Sequence, residues 1–266
     1  MEKTVNQVKC RIVEEEWDVY FDMALTMLEE IIFHNEKGED TVMIVPVGPV
    51  QQYPILAQMV NRLRVSLRRV HFFNMDEYMT SSFQVIPRED PMSFYGRMKR
   101  EFYDRVDPAL VMPESRRHFP EPGREAEYDR MIARLGGADL CLGGLGINGH
   151  VAFNEAAAAD DPVTADEYAE LNTRVLPVSR ETKTINAYGY KRGDLQEMPE
   201  WCITVGMNQI IHARKIYIAL NRPWQAGPFR HALYDEPRGQ FPATLLRRNA
   251  DLCYCMPESI ARGVIL

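Results

Sequence analysis

The chain lacks the features that would assign it to a membrane, a disulfide framework or a nucleic-acid complex. No apolar run approaches the ~18 residues that a membrane span needs. The longest runs, such as Thr41–Val47, are strand-sized. The opening residues MEKTVNQVKC carry no apolar core of the secretory-signal kind, so a cytoplasmic protein is expected. Cysteine is sparse: Cys10, Cys141, Cys202, Cys253 and Cys255 are scattered and odd in number. No paired CxxC spacing of a zinc site occurs, which points to reduced, mostly buried thiols and to no bound metal. Positive charge is in deficit. Lys and Arg total 31 against 38 Asp and Glu, a net charge of −7. An acidic surface repels phosphate backbones, so no nucleic-acid partner is expected. Internal repeats, low-complexity tracts and long linkers are absent as well.

What remains is an ordinary globular composition, 45% hydrophobic and 26% charged over 266 residues. That length fits one large domain, residues 1–266. Helical patterns alternate with short apolar runs. Glu14–Glu36 sets Trp17, Phe21, Ala24, Leu25, Leu28, Ile31 and Ile32 at helical spacing. Thr41–Gly48 is a continuous apolar run of the buried-strand type. Ile55–Arg64 predicts a helix, Arg69–Asp76 a strand, and Pro91–Val106 an amphipathic helix with proline in its first turn. Glu125–Leu135 predicts a helix and Ala138–Leu145 a strand. Lys215–Asn221 and Ala250–Met256 predict strands around a helical segment at Phe229–Tyr234, and Pro257–Arg262 a last helix. Strands separated by helix-length connections define the expected fold class. It is α/β and doubly wound, a mostly parallel sheet with helices on both faces, Rossmann-like and a single domain. The stretch Ala156–Asn172 has no strong period. It fits a surface loop with a short helix, or the start of a lid spanning 156–190.

Such sheets bind ligands beyond the carboxyl ends of their strands. Three strand exits therefore matter: Gly48-Pro49-Val50-Gln51-Gln52, Asn74-Met75-Asp76-Glu77-Tyr78, and Gly143 to Glu155. The third, GGLGINGHVAFNE, carries four glycines within Gly143–Gly149, then His150 and Glu155. Glycine leaves room for a ligand at the backbone. Histidine is the natural proton carrier at neutral pH, and a carboxylate in a closed pocket can serve as a carbon-acid base. Each residue alone has a structural role open to it: Asp76 as a cap, His150 as a satisfied histidine, Glu155 as a solvated charge. Their joint occurrence at neighbouring strand exits favours catalysis.

The elements NMDEY and GGLGINGHVAFNE resemble the glucosamine-6-phosphate deaminase/isomerase family. Ser93-Phe94-Tyr95, Thr173-Arg174-Val175, Glu181-Thr182-Lys183 and Ile203–Met207 also match. The resemblance implies conversion of an amino-sugar phosphate to a ketose phosphate and ammonia, without metal or organic cofactor. It implies that His150 assists ring opening, that Glu155 works with it, and that Asp76 removes the C2 proton and returns it at C1. Asn148 stands where some members carry aspartate beside the histidine. Glu77 is expected to raise the Asp76 pKa by like-charge repulsion. Gly48, Gln51, Glu77, Gly146, Gly149, Arg174, Tyr188 and Arg222 are expected at the substrate.

The chain departs from the family where phosphate is held. The first exit reads Val47-Gly48-Pro49-Val50-Gln51 in place of a threonine- and serine-bearing glycine loop. Pro49 has no N–H, and Val50 has no hydroxyl. Tyr188 stands where an arginine is expected, and Asn221–Gln225 offers Arg222 but no lysine. These losses motivate a second reading, a sugar that is unphosphorylated or differently substituted. A lactone hydrolase on the same fold and a sugar sensor without activity are the other classes. The joint presence of Asp76, His150 and Glu155 argues against the sensor. Arg174 persists while Leu176 and Pro177 replace polar residues, so activation by an amino-sugar phosphate is not expected. The partner is a small sugar, and the pattern leaves assembly open, a homo-oligomer included.

Overall fold

The computed structural model describes residues 1–266. Eleven strands form in chain order: β1 (Glu2–Val5), β2 (Val8–Val13), β3 (Thr41–Val45), β4 (Val70–Asn74), β5 (Asp76–Met79), β6 (Arg117–His118), β7 (Leu140–Gly144), β8 (Arg174–Pro177), β9 (Trp201–Thr204), β10 (Lys215–Ala219) and β11 (Leu252–Pro257). Eight of them make one sheet in the order β1-β2-β11-β10-β7-β3-β4-β6. Every pairing in it is parallel except the β1–β2 hairpin at one edge. The mostly parallel α/β sheet read from the sequence is the sheet observed.

Its middle strands are buried on both faces, which is why they read as unbroken apolar runs. Along β3, Met43 and Val45 enter one hydrophobic core while Val42 and Ile44 enter the other. The first core receives α1 (Glu16–Lys37) and α2 (Gln52–Leu63), through Met23, Met27, Ile31, Leu56 and Val60. The second receives α4 (Glu125–Arg134), α7 (Met207–Ile211) and α8 (Ala226–Tyr234), through Ile132, Ile210 and Phe229. Helices therefore lie on both faces. None is long and apolar enough to cross a membrane.

Three features differ from the sequence reading. The N-terminal residues form the β1–β2 hairpin, whose turn places Asn6 and Gln7 at positive φ. The strand through Asp76 breaks at Met75. Its second part, β5, joins a separate three-stranded antiparallel sheet in the order β5-β9-β8. The single helix over Pro91–Val106 is instead α3 (Phe94–Met98) running into a wider π turn at Lys99–Tyr103. Ser93 starts α3 by accepting a hydrogen bond from the Gly96 N–H.

The stretch 156–190 holds a loop, α5 (Ala165–Ala169), β8 and α6 (Arg180–Tyr190). Thr164 and Glu167 form a reciprocal capping box on α5. Ala156–Asn172 is pinned to the body, through the Ala157 N–H on the Gly239 carbonyl and Gln240 Nε2 on the Asp161 carbonyl. Residues of 156–190 reach the cavity described below only from α6.

Candidate active site

A cavity of about 570 Å³ opens at the carboxyl ends of β3, β7 and β10. Its wall is built from the three exits singled out in the sequence, the exit of β10, α3 and α6. Gly48, Gln51, Asp76, Gly146, His150, Tyr188 and Arg222 line it. Lining residues not assigned from the sequence include Arg97, Tyr78, Phe153, Thr182, Asn186 and Tyr190.

Glycine has a steric reason at two places in the β7 exit. A side chain on Gly144 would come within 3.0 Å of the Gly48 carbonyl, so the β3 and β7 exits close on each other only because Gly144 lacks one. A Cβ on Gly146 would fall 2.1 Å from the His150 ring. Gly146 thus gives the imidazole its seat, and its N–H bonds the His150 carbonyl at 2.9 Å.

The His150 ring is oriented by a fixed network. Asn148 Nδ2 donates to Glu155 Oε2 (2.8 Å) and to Ser179 Oγ (3.2 Å). That leaves Asn148 Oδ1 as an acceptor, 2.8 Å from His150 Nδ1. Nδ1 must therefore carry the proton, and the neutral ring presents an unprotonated Nε2. Thr182 Oγ1 lies 3.1 Å from the same Nδ1 and donates to Glu155 Oε2 at 3.0 Å. Glu155 also accepts the Ser179 N–H at 3.2 Å. Burial lowers the His150 pKa, and the Glu155 charge partly restores it.

Asp76 is in the opposite condition. It is buried, and burial pushes its carboxyl well above the usual range, with a further rise from Glu77 and no offsetting hydrogen bond. Glu77 is held by four donors. Its Oε1 takes the N–H groups of Tyr78 (2.9 Å) and Phe94 (3.0 Å), and its Oε2 takes Ser93 Oγ and the Tyr95 N–H (both 3.0 Å). Burial raises its pKa and these bonds counter the rise. The match at Ser93-Phe94-Tyr95 thus reflects the anchoring of α3 on Glu77.

Five expected site residues do not reach the cavity wall. Glu77 faces α3 and lies outside the cavity wall, although its repulsion of Asp76 is present. Gly149 adopts φ +81° and packs on Phe241, where a Cβ would fall 2.5 Å from the ring. Arg174 donates to Asn154 Oδ1 at 2.7 Å and braces the β7 exit from behind. Asn148 and Glu155 lie behind His150 and act on it. Thr182 was the detectable omission, since Glu181-Thr182-Lys183 was already conspicuous. Arg97 gave no signal, because an arginine on an amphipathic helix ordinarily faces solvent. No group of three or more His, Cys, Asp or Glu side chains capable of holding a metal occurs.

Fold and relatives together define an α/β enzyme, and its cavity sets a buried carboxyl and an imidazole at the strand ends of a parallel sheet. No protein-family model matches the chain. It is 29% identical to the glucosamine-6-phosphate deaminase of Shouchella clausii over 219 residues, covering 80% of this chain and 81% of that one. It is 27% identical to that of Rhodopirellula baltica over 264 residues, covering 97% and 96%. A monomeric glucosamine-6-phosphate deaminase superposes with a TM-score of 0.81 at 21% identity, over 95% of this chain and 98% of that one. A 6-phosphogluconolactonase from Trypanosoma cruzi follows at 0.69 and 16%, over 99% and 98%. The curated relatives it matches at 27–29% identity are glucosamine-6-phosphate deaminases, the family that the sequence motifs resemble.

Proposed function

We propose that the protein is an aldose–ketose isomerase and deaminase that converts an amino sugar, glucosamine 6-phosphate or a close analogue, to the ketose with release of ammonia. The observation that carries this reading is the pairing of a desolvated, unbonded Asp76 carboxyl with a His150 Nε2 in one cavity.

His150, with Nδ1 fixed on Asn148, has Nε2 free to take the proton of the C1 hydroxyl as the ring opens and to return it to the ring oxygen. In the open aldehyde the C2 proton is acidic. Asp76, as carboxylate, removes it to give an enolamine. Reprotonation at C1 leaves an imine at C2. Water adds to C2 and ammonia departs, leaving the ketose. Burial makes Asp76 a stronger base than an exposed carboxylate and lets it hold the proton between the two carbons. Glu155, Asn148 and Thr182 act as positioning residues through His150. The α6 segment of 156–190, which carries Thr182 and Tyr188, is in this reading the part that closes over the sugar.

Lactone hydrolysis is the second reading, favoured by the likeness to the lactonase fold. It makes no use of a carbon-acid base, the role for which the buried, unbonded Asp76 carboxyl is suited. The deciding assay presents glucosamine 6-phosphate, free glucosamine and 6-phosphogluconolactone in parallel. Ammonia and ketose in equal amounts support the proposal. Acid formation from the lactone, without ammonia from either amino sugar, replaces it.

A further inference from the structure

The exit of β3 is poor in donors for a phosphate. Pro49 has no N–H, and the Val50 N–H is taken by the chain's own Gln51 Oε1 at 3.1 Å. Gln52, at the first position of α2, turns its Nε2 onto the Pro49 carbonyl at 2.9 Å. Yet the cavity does not suit a neutral sugar. Its charged wall comprises one acid, Asp76, against two guanidiniums, Arg97 and Arg222. Arg222 has a carboxylate partner, Glu16 Oε1 at 3.7 Å. Arg97 has none. It donates to Tyr190 Oη at 2.9 Å and lies over the Tyr190 ring at 4.4 Å.

A half-buried guanidinium with five N–H groups and no counter-charge retains most of its donor capacity for a ligand. Tyr190 holds the fork still without neutralising it. The position of Arg97 is also fixed. Glu77 grips the first turn of α3 through Ser93, Phe94 and Tyr95, and Gly96 lets α3 press on the Arg88 carbonyl, where a Cβ would fall at 2.3 Å. The same β5 residue pair therefore carries the base and anchors the arginine.

We infer that Arg97, steadied by Tyr190, is the residue that binds an anionic substituent of the substrate, a phosphate ester or a carboxylate, in place of the backbone amides of the β3 exit. This deepens the proposed function and rests on the same cavity. The substrate class is thus an acidic amino sugar, and the loss of loop donors marks a change in how the anion is held.

Calorimetric binding tests this without requiring turnover. Glucosamine 6-phosphate, glucosaminuronate and neutral glucosamine are titrated into wild type, Arg97→Met, Arg97→Lys and Tyr190→Phe, each checked by thermal unfolding. Wild type should prefer one of the acidic sugars to glucosamine, and which of them binds tells phosphate from carboxylate. Arg97→Met should weaken that sugar by about 10- to 100-fold and leave glucosamine unchanged, the effect of losing one charge-assisted contact. Arg97→Lys should recover part of the loss. Equal binding of acidic sugars by wild type and Arg97→Met, or a wild type that prefers the neutral sugar, overturns the inference. Anion binding through Arg97 without ammonia release would keep this inference and reject the proposed deamination.

Discussion

Asp76 and Glu77, consecutive on β5, turn their carboxyls to opposite environments: Asp76 to the cavity with no donor, Glu77 to four donors at the start of α3. Alternation along a strand imposes this split, since successive side chains point to opposite faces. One carboxyl is left reactive and the other becomes structural. The pair predicts opposite outcomes for two conservative substitutions.

Asp76→Asn should lower ammonia release by about 10³-fold or more, the scale of a lost general base. It should leave the melting temperature unchanged or raised, because a buried carboxyl without partners costs stability. Glucosamine 6-phosphate turnover and a thermal melt on the same preparation check both halves. A fall in melting temperature with retained activity would reverse the assignment.

Glu77→Gln should do the reverse in stability. An amide cannot accept four donors, and its NH₂ would face an N–H or a hydroxyl. Leaving such a buried group unmatched costs about 1–3 kcal/mol. Chemical denaturation should show that loss, and Ser93→Ala a smaller one of about 1 kcal/mol. Affinity for anionic sugars should drop with Glu77→Gln, because α3 loses the anchor that sets Arg97.

The pH profile follows from the signs of two shifts. The Asp76 pKa is raised by burial and then by Glu77, so the active carboxylate is lost on acidification from a higher pH than for an exposed aspartate. The His150 pKa is lowered by burial, which keeps the ring neutral at pH 7. kcat/KM should therefore rise with pH through an apparent pKa above the ordinary carboxylate value of about 3.9. Asn148→Ala frees the ring tautomer. It should cut kcat and shift that profile while the melt changes little.

A second titration belongs to stability alone. His71 Nδ1 and His118 Nε2 lie 3.0 Å apart beneath Phe73, with Asp40 and Arg116 beside them. Burial lowers both pKa values, that of His118 to about 4. The unfolded chain then binds more protons than the folded one below pH ~6.5. Stability is full above that pH and declines as pH falls toward 4. His118→Gln should flatten the fall in melting temperature between pH 7 and 4.5. An unchanged slope would mean the pair does not titrate on unfolding.

The parallel sheet was legible because its strands are local apolar runs ended by glycine or polar residues. The β5–β9–β8 sheet was not. Arg174–Pro177 has no apolar alternation, and of Asp76–Met79 only Asp76 falls in the expected strand Arg69–Asp76, as its last residue. The edge hairpin is hidden for the same reason, since Glu2–Val5 is mostly polar and exposed. That Asp76 and His150 share one cavity was legible because the exits of parallel strands converge. The seat of Gly149 on Phe241, off the cavity wall, was not legible because Phe241 is distant in sequence and glycine adjoins ligands and aromatic rings alike. The bond of Arg174 to Asn154 was not legible because a charge that braces a loop from behind has the same sequence signature as one that faces a ligand.

The central claim is that Asp76 breaks a C–H bond at C2 of an amino sugar. Conversion of glucosamine 6-phosphate deuterated at C2, followed by mass spectrometry and NMR of product and solvent, reads this step directly. The account predicts a primary isotope effect, deuterium at C1 of the ketose or in water, and one ammonia per ketose. Sugar recovered with its deuterium still at C2, and neither ketose nor ammonia formed, would contradict it.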